Sequence, residues 1–495
     1  MAGFMIAAPR SGSGKTMVTC GILELLKRKQ KNPFSYKCGP DYIDGLFHRK
    51  VLGIEGGNLD SFFEQPQDIR EKYAAVSETH FPVVEGVMGY FDGLGGDTTA
   101  ASSWEVADIL NLPVVLVVDA KGASLSLAAL IKGFQVFQGE SQSSQANKNG
   151  NHIQAVILNR ISPMLYPRMK AVIEKETGVL VAGYVPELDF WQVGSRHLGL
   201  VLPGEIENLQ EQMRQLGDCL EKTLDVDVLL KLGEKADIDV LGSVTVTADG
   251  SSQKCETQKN ADLVLQNQFA GEKISHSAIP IRLGVAWDEA FCFYYRDNLE
   301  FLEKQGVQIV QFSPVHDKHL PDDLDGLLLG GGYPELYAKA LEENETIRNE
   351  IRRKAEEDMP ILAECGGYLY LLKELEDENG TGYEMAGVFS GKGYKKGKNS
   401  HFGYITVQTE KDSLYLKAGE TIKGHEFHYW ESTQDENELK MQAKKPTGKR
   451  SWPCVTVKNQ VMAGFPHLYY PSLEGFGERF VQACDRYRMK RKRQQ

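Results

Sequence analysis

Two stretches far apart in the chain each join a short apolar run to a glycine-rich turn and a helix-like segment. The first is FMIAAPRSGSGKT near the N-terminus, and the second is PILAECGGYLYL, from Pro360 to Leu371. The order strand, tight turn, helix is the building unit of a parallel sheet covered by helices. A chain with this unit in both halves is constrained to an α/β fold whose ligand sites lie at the carboxyl ends of strands.

Further apolar runs repeat the pattern in both halves. FPVVEGVM, PVVLVVDA, QAVILNR and LVAGYVP lie in the first 190 residues, and IRLGVAWD, VQIVQFSP and LDGLLLGGGYPE form a second series that starts at Ile281. Such runs, alternating with helical segments, indicate buried parallel strands. We predict two doubly wound α/β domains with mostly parallel sheets, and a more β-rich pattern after about Gly380.

The length of the chain also favours several domains, because 495 residues exceed one ordinary hydrophobic core. We predict a first domain over residues 1–200, a helical segment and linker over 201–278, a second domain over 279–485 and a basic tail over 486–495. The polar stretches Gly139 to Asn151 and Ala248 to Gln268 lack apolar periodicity. They are predicted to be an exposed loop and part of the linker.

Composition argues against several functional classes. The formal net charge of −12 disfavours a broad nucleic-acid surface, which needs clustered Lys and Arg. No apolar stretch approaches the roughly 20 residues of a membrane span, and no signal peptide opens the chain. We therefore expect a cytoplasmic protein that binds neither nucleic acid nor membrane. The eight cysteines show no zinc-type spacing, and Cys365 alone is interpreted as functional.

The N-terminal turn predicts a nucleotide site. Backbone N–H groups of its glycines could approach phosphate oxygens, while Lys15 supplies positive charge and the Thr16 hydroxyl ligates Mg²⁺. The nucleotide-contacting residues would be Gly12, Ser13, Gly14, Lys15 and Thr16. Pro9 stands where the usual motif has its first glycine, so the match is imperfect. An ordinary Gly/Ser turn is the alternative.

Polar side chains follow several of the predicted strands, where they would lie near bound phosphates. Glu85 ends a buried strand and is the strongest Mg²⁺ candidate, while Asp41 or Asp44 could complete the shell of oxygen ligands. Asp92 could position a substrate carboxylate or stabilise its phosphate. A turn or cap role is the alternative for each aspartate. Asn159 lies where related sites read adenine, although a strand-end cap is equally compatible.

The second turn predicts a cysteine nucleophile. Cys365 ends an apolar strand, and Gly366 permits a tight turn that places the sulfur at a helix N-terminus. The field of that helix is expected to lower the pKa of the thiol. Backbone N–H groups of this turn could stabilise the oxyanion formed from a glutamine carboxamide, and the glycine turn at Gly331 and Gly332 in LGGGYPE could serve the same oxyanion or bind the glutamine substrate.

A cysteine nucleophile also needs a base. His467 in AGFPHLYYPS follows a strand-like run, and it could deprotonate the thiol and then protonate departing ammonia. His425 and His428 in GHEFHYW compete for this role, and a purely structural histidine is a further alternative. An ATP site and a glutaminase-like site in one chain favour an amide-forming ligase, in which ATP activates a carboxylate that ammonia attacks.

Taken together, the motifs resemble those of one family. APRSGSGKT, KCGPDYID, EGVMGYFDG, AFCFYYRDNLE, LGGGYPEL, AECGGYLYL, GHEFHYW and PHLYYPS are similar, in order and over nearly the whole chain, to motifs of the cobyrinic acid a,c-diamide synthases. The resemblance implies a dethiobiotin-synthetase-like ATP domain joined to a class I glutamine amidotransferase domain. It further implies ATP, glutamine and Mg²⁺, and a corrinoid polycarboxylate amidated at its a and c side chains through acyl phosphates. A homodimer is left open.

The same resemblance assigns roles to individual residues. It implies a nucleophile at Cys365 with His467 as its partner, Thr16, Asp41 and Glu85 near Mg²⁺ and phosphate, and Asp44 and Asp92 near the substrate carboxylate. Many class I amidotransferases carry a carboxylate two residues after the histidine, but this chain has Tyr469 there, so the third member is unassigned.

Several alternatives remain at this stage. The same chemistry on hydrogenobyrinate or nickel sirohydrochlorin is one, and a cobyric acid synthase is another. From a different class, a nucleotide-binding regulator with an inert amidotransferase domain would have no need for both sets of catalytic residues.

Overall fold

The computed structural model describes residues 2–137, 152–191, 206–234, 280–397, 401–434, 439–448 and 450–494. The predicted loop Gly139 to Asn151 and the polar stretch Ala248 to Gln268 lie outside these ranges. Among the described helices, none is both long and apolar enough to cross a membrane.

The N-terminal half contains a seven-stranded sheet in the order β3-β2-β4-β1-β5-β6-β7, with every neighbouring pair parallel. Its strands are β1 (Phe4–Ala7), β2 (Pro33–Cys38), β3 (Gly56–Leu59), β4 (Phe81–Glu85), β5 (Val114–Asp119), β6 (Ile153–Asn159) and β7 (Leu180–Val185). The helices are α1 (Lys15–Arg28), α2 (Ile43–Phe47), α3 (Pro66–Ser77), α4 (Ser103–Leu110), α5 (Ser126–Val136), α6 (Tyr166–Thr177), α7 (Ile206–Thr223) and α8 (Val226–Glu234).

Alternation along each strand explains why helices cover both faces of this sheet. In β5, Leu116 belongs to the apolar cluster on one face, whereas Val115 and Val117 belong to the cluster on the other. Parallel strands buried on both faces are continuous apolar runs, as observed. Leu216 and Leu220 of α7 join the second cluster, so the helical segment after residue 200 packs on the first sheet. The domain boundaries themselves stay a prediction.

The C-terminal half contains a ten-stranded sheet in the order β10-β8-β11-β13-β22-β21-β20-β17-β18-β23. Its strands are β8 (Ile281–Ala286), β10 (Val307–Phe312), β11 (Gly326–Leu329), β13 (Ile361–Glu364), β17 (Phe402–Gln408), β18 (Thr421–Phe427), β20 (Leu439–Lys444), β21 (Ser451–Lys458), β22 (Val461–Gly464) and β23 (His467–Leu468). The first five in spatial order are parallel and the rest are antiparallel.

Smaller elements complete this half. A two-stranded pair joins β9 (Phe291–Phe293) to β12 (Gly331–Gly332), and a small sheet contains β14 (Glu374–Glu376), β15 (Gly382–Glu384), β16 (Lys392–Lys395) and β19 (Trp430–Ser432). The helices are α9 (Arg296–Lys304), α10 (Ala338–Glu343), α11 (Glu345–Glu356), α12 (Gly366–Leu371) and α13 (Glu474–Gln494). The predicted class, two α/β units with parallel sheets, is confirmed, and the antiparallel strands agree with the β-rich pattern expected after Gly380.

Aromatic rings and charges join the two halves. Phe63 of the first half stacks on Tyr469 of the second, with ring centroids 4.9 Å apart and planes 6° apart. Lys72 forms ion pairs with Glu64 in its own half and with Asp297 in the other. Because rings and a shared cation both cross the boundary, these contacts hold the two halves together.

Candidate active site

The predicted phosphate-binding turn lies between β1 and α1. Gly12 and Gly14 have φ angles of 78° and 95°, which L side chains rarely adopt. The buried Ser13 hydroxyl donates to the carbonyl of Arg10 at 3.0 Å. Asn159 at the end of β6 donates from Nδ2 to the carbonyl of Ser13 at 2.8 Å, and a Cβ atom at Gly14 would lie 2.2 Å from that nitrogen. Asn159 therefore holds the turn in place, while its adenine-reading role stays a prediction.

Lys15 begins α1 and is nearly buried. Its ammonium donates to the carbonyl of Met88, which follows β4. Burial lowers the pKa of Lys15 to about 8, and the nearby charge of Lys37 acts in the same direction. A partly desolvated cation of this kind gains most from an anionic partner such as a phosphate group.

Thr16, Glu85 and Lys37 meet at the carboxyl ends of β2 and β4. The Thr16 hydroxyl donates to Glu85 Oε1 at 2.6 Å, and Lys37 Nζ donates to the same oxygen at 2.8 Å. Lys37 also pairs with Asp44, and its Nζ lies 3.8 Å from Asp41 Oδ2. Burial raises the pKa of Glu85 to about 7, partly offset by Lys37. The carboxylates expected near phosphate are thus brought together around one buried ammonium.

Lys37 is the residue of this cluster that sequence reasoning missed. It lies in PFSYKC, a strand whose six residues are all buried. A lysine in such a strand needs a compensating carboxylate, because burial of an unpaired charge is costly. The occurrence of a lysine within this apolar run could therefore have indicated a buried ion pair.

The three candidate aspartates, Asp41, Asp44 and Asp92, lie in different surroundings. Asp92 follows β4 and accepts a hydrogen bond from the N–H of Gly89 at 2.9 Å, and it lines a cavity. Asp41 lines the same cavity. Asp44, by contrast, is 5% exposed and is occupied by Lys37. Asp41 and Asp92 therefore face the cavity, whereas the carboxylate of Asp44 is paired with Lys37, and the roles of all three in catalysis stay predictions.

Cys365 lies between β13 and α12 in a backbone conformation of φ 49° and ψ −103°. Its N–H bonds to the carbonyl of Gly464 at 2.8 Å, which fixes this unusual geometry. Burial raises the pKa of the thiol, although the N–H of Gly366 acts in the opposite direction. The expectation of a lowered pKa is therefore wrong for this arrangement, since removal of water from the sulfur and the nearby charge of Glu335 raise the pKa by more than the hydrogen bond from Gly366 lowers it. The thiol needs a base at the moment of attack.

His467 lies on β23 beside the glycines of β12. A Cβ atom at Gly331 would lie 2.3 Å from His467 Cε1, so only glycine leaves room for the ring. Gly332 also lines the cavity, and a Cβ atom at Gly366 would lie 3.0 Å from its nitrogen. Burial lowers the pKa of His467 to about 3, so the imidazole is neutral near pH 7 and is a weaker base than a solvent-exposed histidine. Cys365, His467 and the three predicted glycines are thus brought together.

The rival histidines are placed differently. His425 pairs with His467 across β18 and β23, with ring centroids 5.7 Å apart. His428 stacks on Phe465 with centroids 4.0 Å apart. Among the described residues, Nδ1 of both His425 and His467 has no hydrogen-bond partner. The tertiary structure therefore leaves the third member of the cysteine site unassigned.

Nor does Tyr469 orient His467, since its hydroxyl donates to Asp297 at 3.2 Å. A buried carboxylate does lie next to the nucleophile in sequence. Glu364 accepts from the N–H of Leu468 at 3.3 Å and from the hydroxyl of Tyr470 at 3.0 Å, so it anchors the segment that carries His467.

One cavity of 1610 Å³ extends across both halves. Asp41, Met88 and Asp92 line it on the side of the phosphate-binding turn, and Cys365 and His467 line it on the other side. The candidate residues Asp41 and Asp92 of the first half therefore share this space with Cys365 and His467, whereas no residue from Gly12 to Thr16 is among those that line it.

Tyr42 stands between the two sites. Its ring stacks on Phe293 with centroids 5.4 Å apart, and it lies 4.6 Å from Tyr295 and 5.3 Å from His467. A nucleotide-type α/β domain and a cysteine–histidine domain that share one cavity define a two-domain synthetase of the glutamine amidotransferase type.

Comparisons with known proteins narrow this class. Residues 4–200 match the model of the CobQ/CobB/MinD/ParA nucleotide binding domain, and residues 282–473 match the CobB/CobQ-like glutamine amidotransferase domain. The cobyrinate a,c-diamide synthase of Caldanaerobacter subterraneus subsp. tengcongensis is 35% identical over 489 residues, which cover 98% of each chain. That of Streptococcus sanguinis is 37% identical over 94% of this chain and 95% of its own. That of Salmonella typhimurium is 37% identical over 86% of this chain and 85% of its own.

The chain belongs to the cobyrinate a,c-diamide synthase family. This confirms the resemblance read from the motifs and the predicted class of enzyme, a carbon–nitrogen ligase that uses glutamine as amido donor.

Proposed function

We propose that this enzyme amidates the a and c carboxylates of cobyrinic acid, with ATP as the activating substrate and glutamine as the nitrogen source. The observation that carries the proposal is the shared cavity, which is lined by Asp41 and Asp92 as well as by Cys365 and His467. Ammonia released at the cysteine would then enter the same cavity as the activated carboxylate. The names of the relatives support the choice of macrocycle.

In the synthetase half-reaction, ATP would lie on the turn from Gly12 to Thr16 with its phosphates near Lys15. Transfer of the γ-phosphoryl group to the substrate carboxylate would give an acyl phosphate. The partly desolvated ammonium of Lys15 would neutralise charge that develops on the transferred group. Asp92 would orient the substrate carboxylate from the rim of the cavity.

The donor atoms around Glu85 fit Mg²⁺. Thr16 Oγ1 and Asp41 Oδ2 are oxygen donors, and Glu85 Oε2 is buried with no hydrogen-bond partner among the described residues. Hard oxygen ligands are those that Mg²⁺ prefers. Thr16, Asp41 and Glu85 would hold the ion, which when bound would neutralise phosphate charge. Lys37 would keep the carboxylates close together.

In the glutaminase half-reaction, Cys365 would attack the glutamine carboxamide while His467 accepts the thiol proton. The oxyanion would receive hydrogen bonds from backbone N–H groups at Gly366 and at the Gly331–Gly332 turn. His467 would then protonate the leaving ammonia, and water would release glutamate from the thioester.

The test uses full-length protein with ATP, Mg²⁺ and cobyrinic acid, and follows product masses with either glutamine or an ammonium salt. Cys365→Ala is expected to lose glutamine-dependent synthesis and to retain ammonium-dependent synthesis. Lys15→Ala is expected to lose both. A folded Cys365→Ala protein that ammonium cannot rescue would contradict separate glutaminase and synthetase sites.

Hydrogenobyrinic acid and nickel sirohydrochlorin are assayed in parallel, because these macrocycles are chemically similar polycarboxylates. Conversion of one of them, and not of cobyrinic acid, would keep the ligase mechanism and change the substrate. ATP binding without amidation of any of the three would favour a regulator with an inert amidotransferase domain.

A further inference from the structure

Three side chains that the proposed chemistry does not use converge on one point, and one of them, His428, lines the shared cavity. His401 lies just before β17, Glu426 lies in β18, and His428 follows β18. Within the described parts of the chain, this is the one group of three such residues whose ligand atoms all lie within 4.8 Å of one another. We propose that His401, Glu426 and His428 form a binding site for a divalent transition cation, with Zn²⁺ as the best match.

The hydrogen bonding of His428 is the first argument. Its Nδ1 lies 2.6 Å from the carbonyl oxygen of Trp430, and because a carbonyl only accepts, Nδ1 must donate. In the neutral ring, Nε2 then carries the lone pair. A ligating histidine commonly donates its other ring N–H to a carbonyl or carboxylate in this way.

The surroundings of that lone pair are the second argument. Nε2 of His428 is buried, has no hydrogen-bond partner among the described residues, and lies 3.6 Å from Oε2 of Glu426. Glu426 is itself only 1% exposed. Two buried acceptors that face each other repel, unless a positive charge lies between them.

His401 supplies the third donor. Its Nδ1 lies 4.0 Å from Glu426 Oε2, and its ring stacks on Trp452 with centroids 4.3 Å apart. Bonds of about 2.0–2.1 Å in a tetrahedral site place ligand atoms about 3.4 Å apart, so ligand atoms that lie within 4.8 Å of one another must approach by up to about 1.4 Å. The side chain of His401 is 21% exposed, so it is freer to move than the buried side chains of Glu426 and His428.

Outer contacts fix the carboxylate. Trp452 Nε1 donates to both oxygens of Glu426, at 3.4 and 3.2 Å. Hydrogen-bonded carboxylates and oriented imidazoles are the usual second layer of a metal site. Two imidazole nitrogens and one carboxylate suit Zn²⁺ and disfavour Mg²⁺, which prefers oxygen ligands. The cation site is therefore chemically different from the one proposed near Glu85.

A cation here would join the start of β17 to the end of β18. Phe402 and Tyr404 of β17, and His425 and Phe427 of β18, line the shared cavity. The bound ion would fix one wall of that cavity and would take no part in the glutaminase chemistry. The ion is therefore expected to order this wall of the cavity and to raise the stability of the protein against unfolding.

The experiment measures metal binding by the full-length protein. After removal of metals with a chelator, Zn²⁺ is titrated against a chromophoric chelator, and Co²⁺ is titrated as a probe of coordination geometry. The wild-type protein is expected to bind one ion per chain and to unfold at a higher temperature once loaded. Trp452→Phe removes an outer partner of the site and should weaken Zn²⁺ binding by roughly 10–100-fold. His401→Ala removes a ligand and should weaken Zn²⁺ binding by more than that.

Two matched variants locate the ion. His319→Ala removes an exposed histidine that pairs with Glu350 at 2.8 Å, and it should bind like the wild type. His467→Ala should also bind like the wild type, since the ion is not expected at the cysteine site. ATP binding and thermal unfolding verify that each variant is folded.

Three outcomes would overturn the proposal. The first is the absence of stoichiometric Zn²⁺ binding, which would mean that a proton, and not a metal ion, lies between His428 and Glu426. The second is wild-type affinity in folded His401→Ala. The third is loss of binding in His467→Ala with retention in His401→Ala, which would place the ion beside Cys365.

Discussion

Replacement of Tyr42 by alanine tests whether the two halves work through one cavity. Tyr42 belongs to the first half, yet its ring stacks on Phe293 and lies 4.6 Å from Tyr295, both in the second half. An aromatic pair contributes about 0.5–1.5 kcal/mol beyond the area it buries. Loss of two such pairs should weaken the docking of the two halves by about 1–3 kcal/mol, or roughly 5–150-fold in the docking equilibrium.

The expected consequence is uncoupling of the two half-reactions. In Tyr42→Ala, glutamine hydrolysis should continue, because Cys365 and His467 belong to the second half. More of the released ammonia should escape before it reaches the activated carboxylate. The assay measures glutamate and amide formed in the same reaction, and the ratio of glutamate to amide should rise.

Two controls make the result specific. Tyr42→Phe keeps the ring and should leave the ratio unchanged. Synthesis from a saturating ammonium salt should be preserved in Tyr42→Ala, which shows that the adjacent Asp41 still functions. If folded Tyr42→Ala gives the same ratio of glutamate to amide as the wild type, the inference that the Tyr42 ring couples the two half-reactions is refuted.

The remaining predictions concern single residues. Gly331→Ala should abolish glutamine-dependent synthesis and spare ammonium-dependent synthesis, because its Cβ atom would lie 2.3 Å from His467 Cε1. The matched control is Gly133→Ala, whose Cβ atom would meet no atom within 4 Å. Equal glutamine-dependent activity of the two variants would contradict this packing argument. Lys37→Met should lower the free energy of unfolding by about 3–5 kcal/mol, since it leaves buried carboxylates without their cation, and an unchanged thermal midpoint would count against this. NMR spectra of protein with labelled histidines should show that His467 is neutral from pH 5 to 8, because burial lowers its pKa to about 3. The spectrum of His467→Asn identifies the signal of His467. Protonation of His467 near pH 6.5 would contradict this prediction and show that water reaches the ring.

Much of the fold could be predicted from local pattern. Strand β5 is a run of valine and leucine, and such a run, buried on both faces, needs helices on each side. The turns at Gly14 and Gly366 could be located because glycine, a preceding apolar run and a following helix are adjacent in sequence. For the same reason the candidate residues Lys15, Thr16 and Cys365 could be named.

Relations across the fold could not be predicted in this way. The pairing of Lys37 with Glu85 depends on the register of β2 against β4. The stacking of Tyr42 on Phe293 depends on how the two halves dock. Nor did the sequence reveal that burial would raise the pKa of Cys365, since depth is a property of the packed molecule.

The sequence by itself determined which chemical groups are available and at which strand ends they stand, because motif spacing and apolar periodicity are local properties. Only the tertiary structure decided that Asp41 and Asp92 share one cavity with Cys365 and His467, and that Lys37 lies among the carboxylates proposed to hold Mg²⁺. It also decided that Cys365 is buried, which raises the pKa of its thiol. The physical reason is that desolvation and charge pairing depend on distances between residues far apart in sequence, and packing sets those distances.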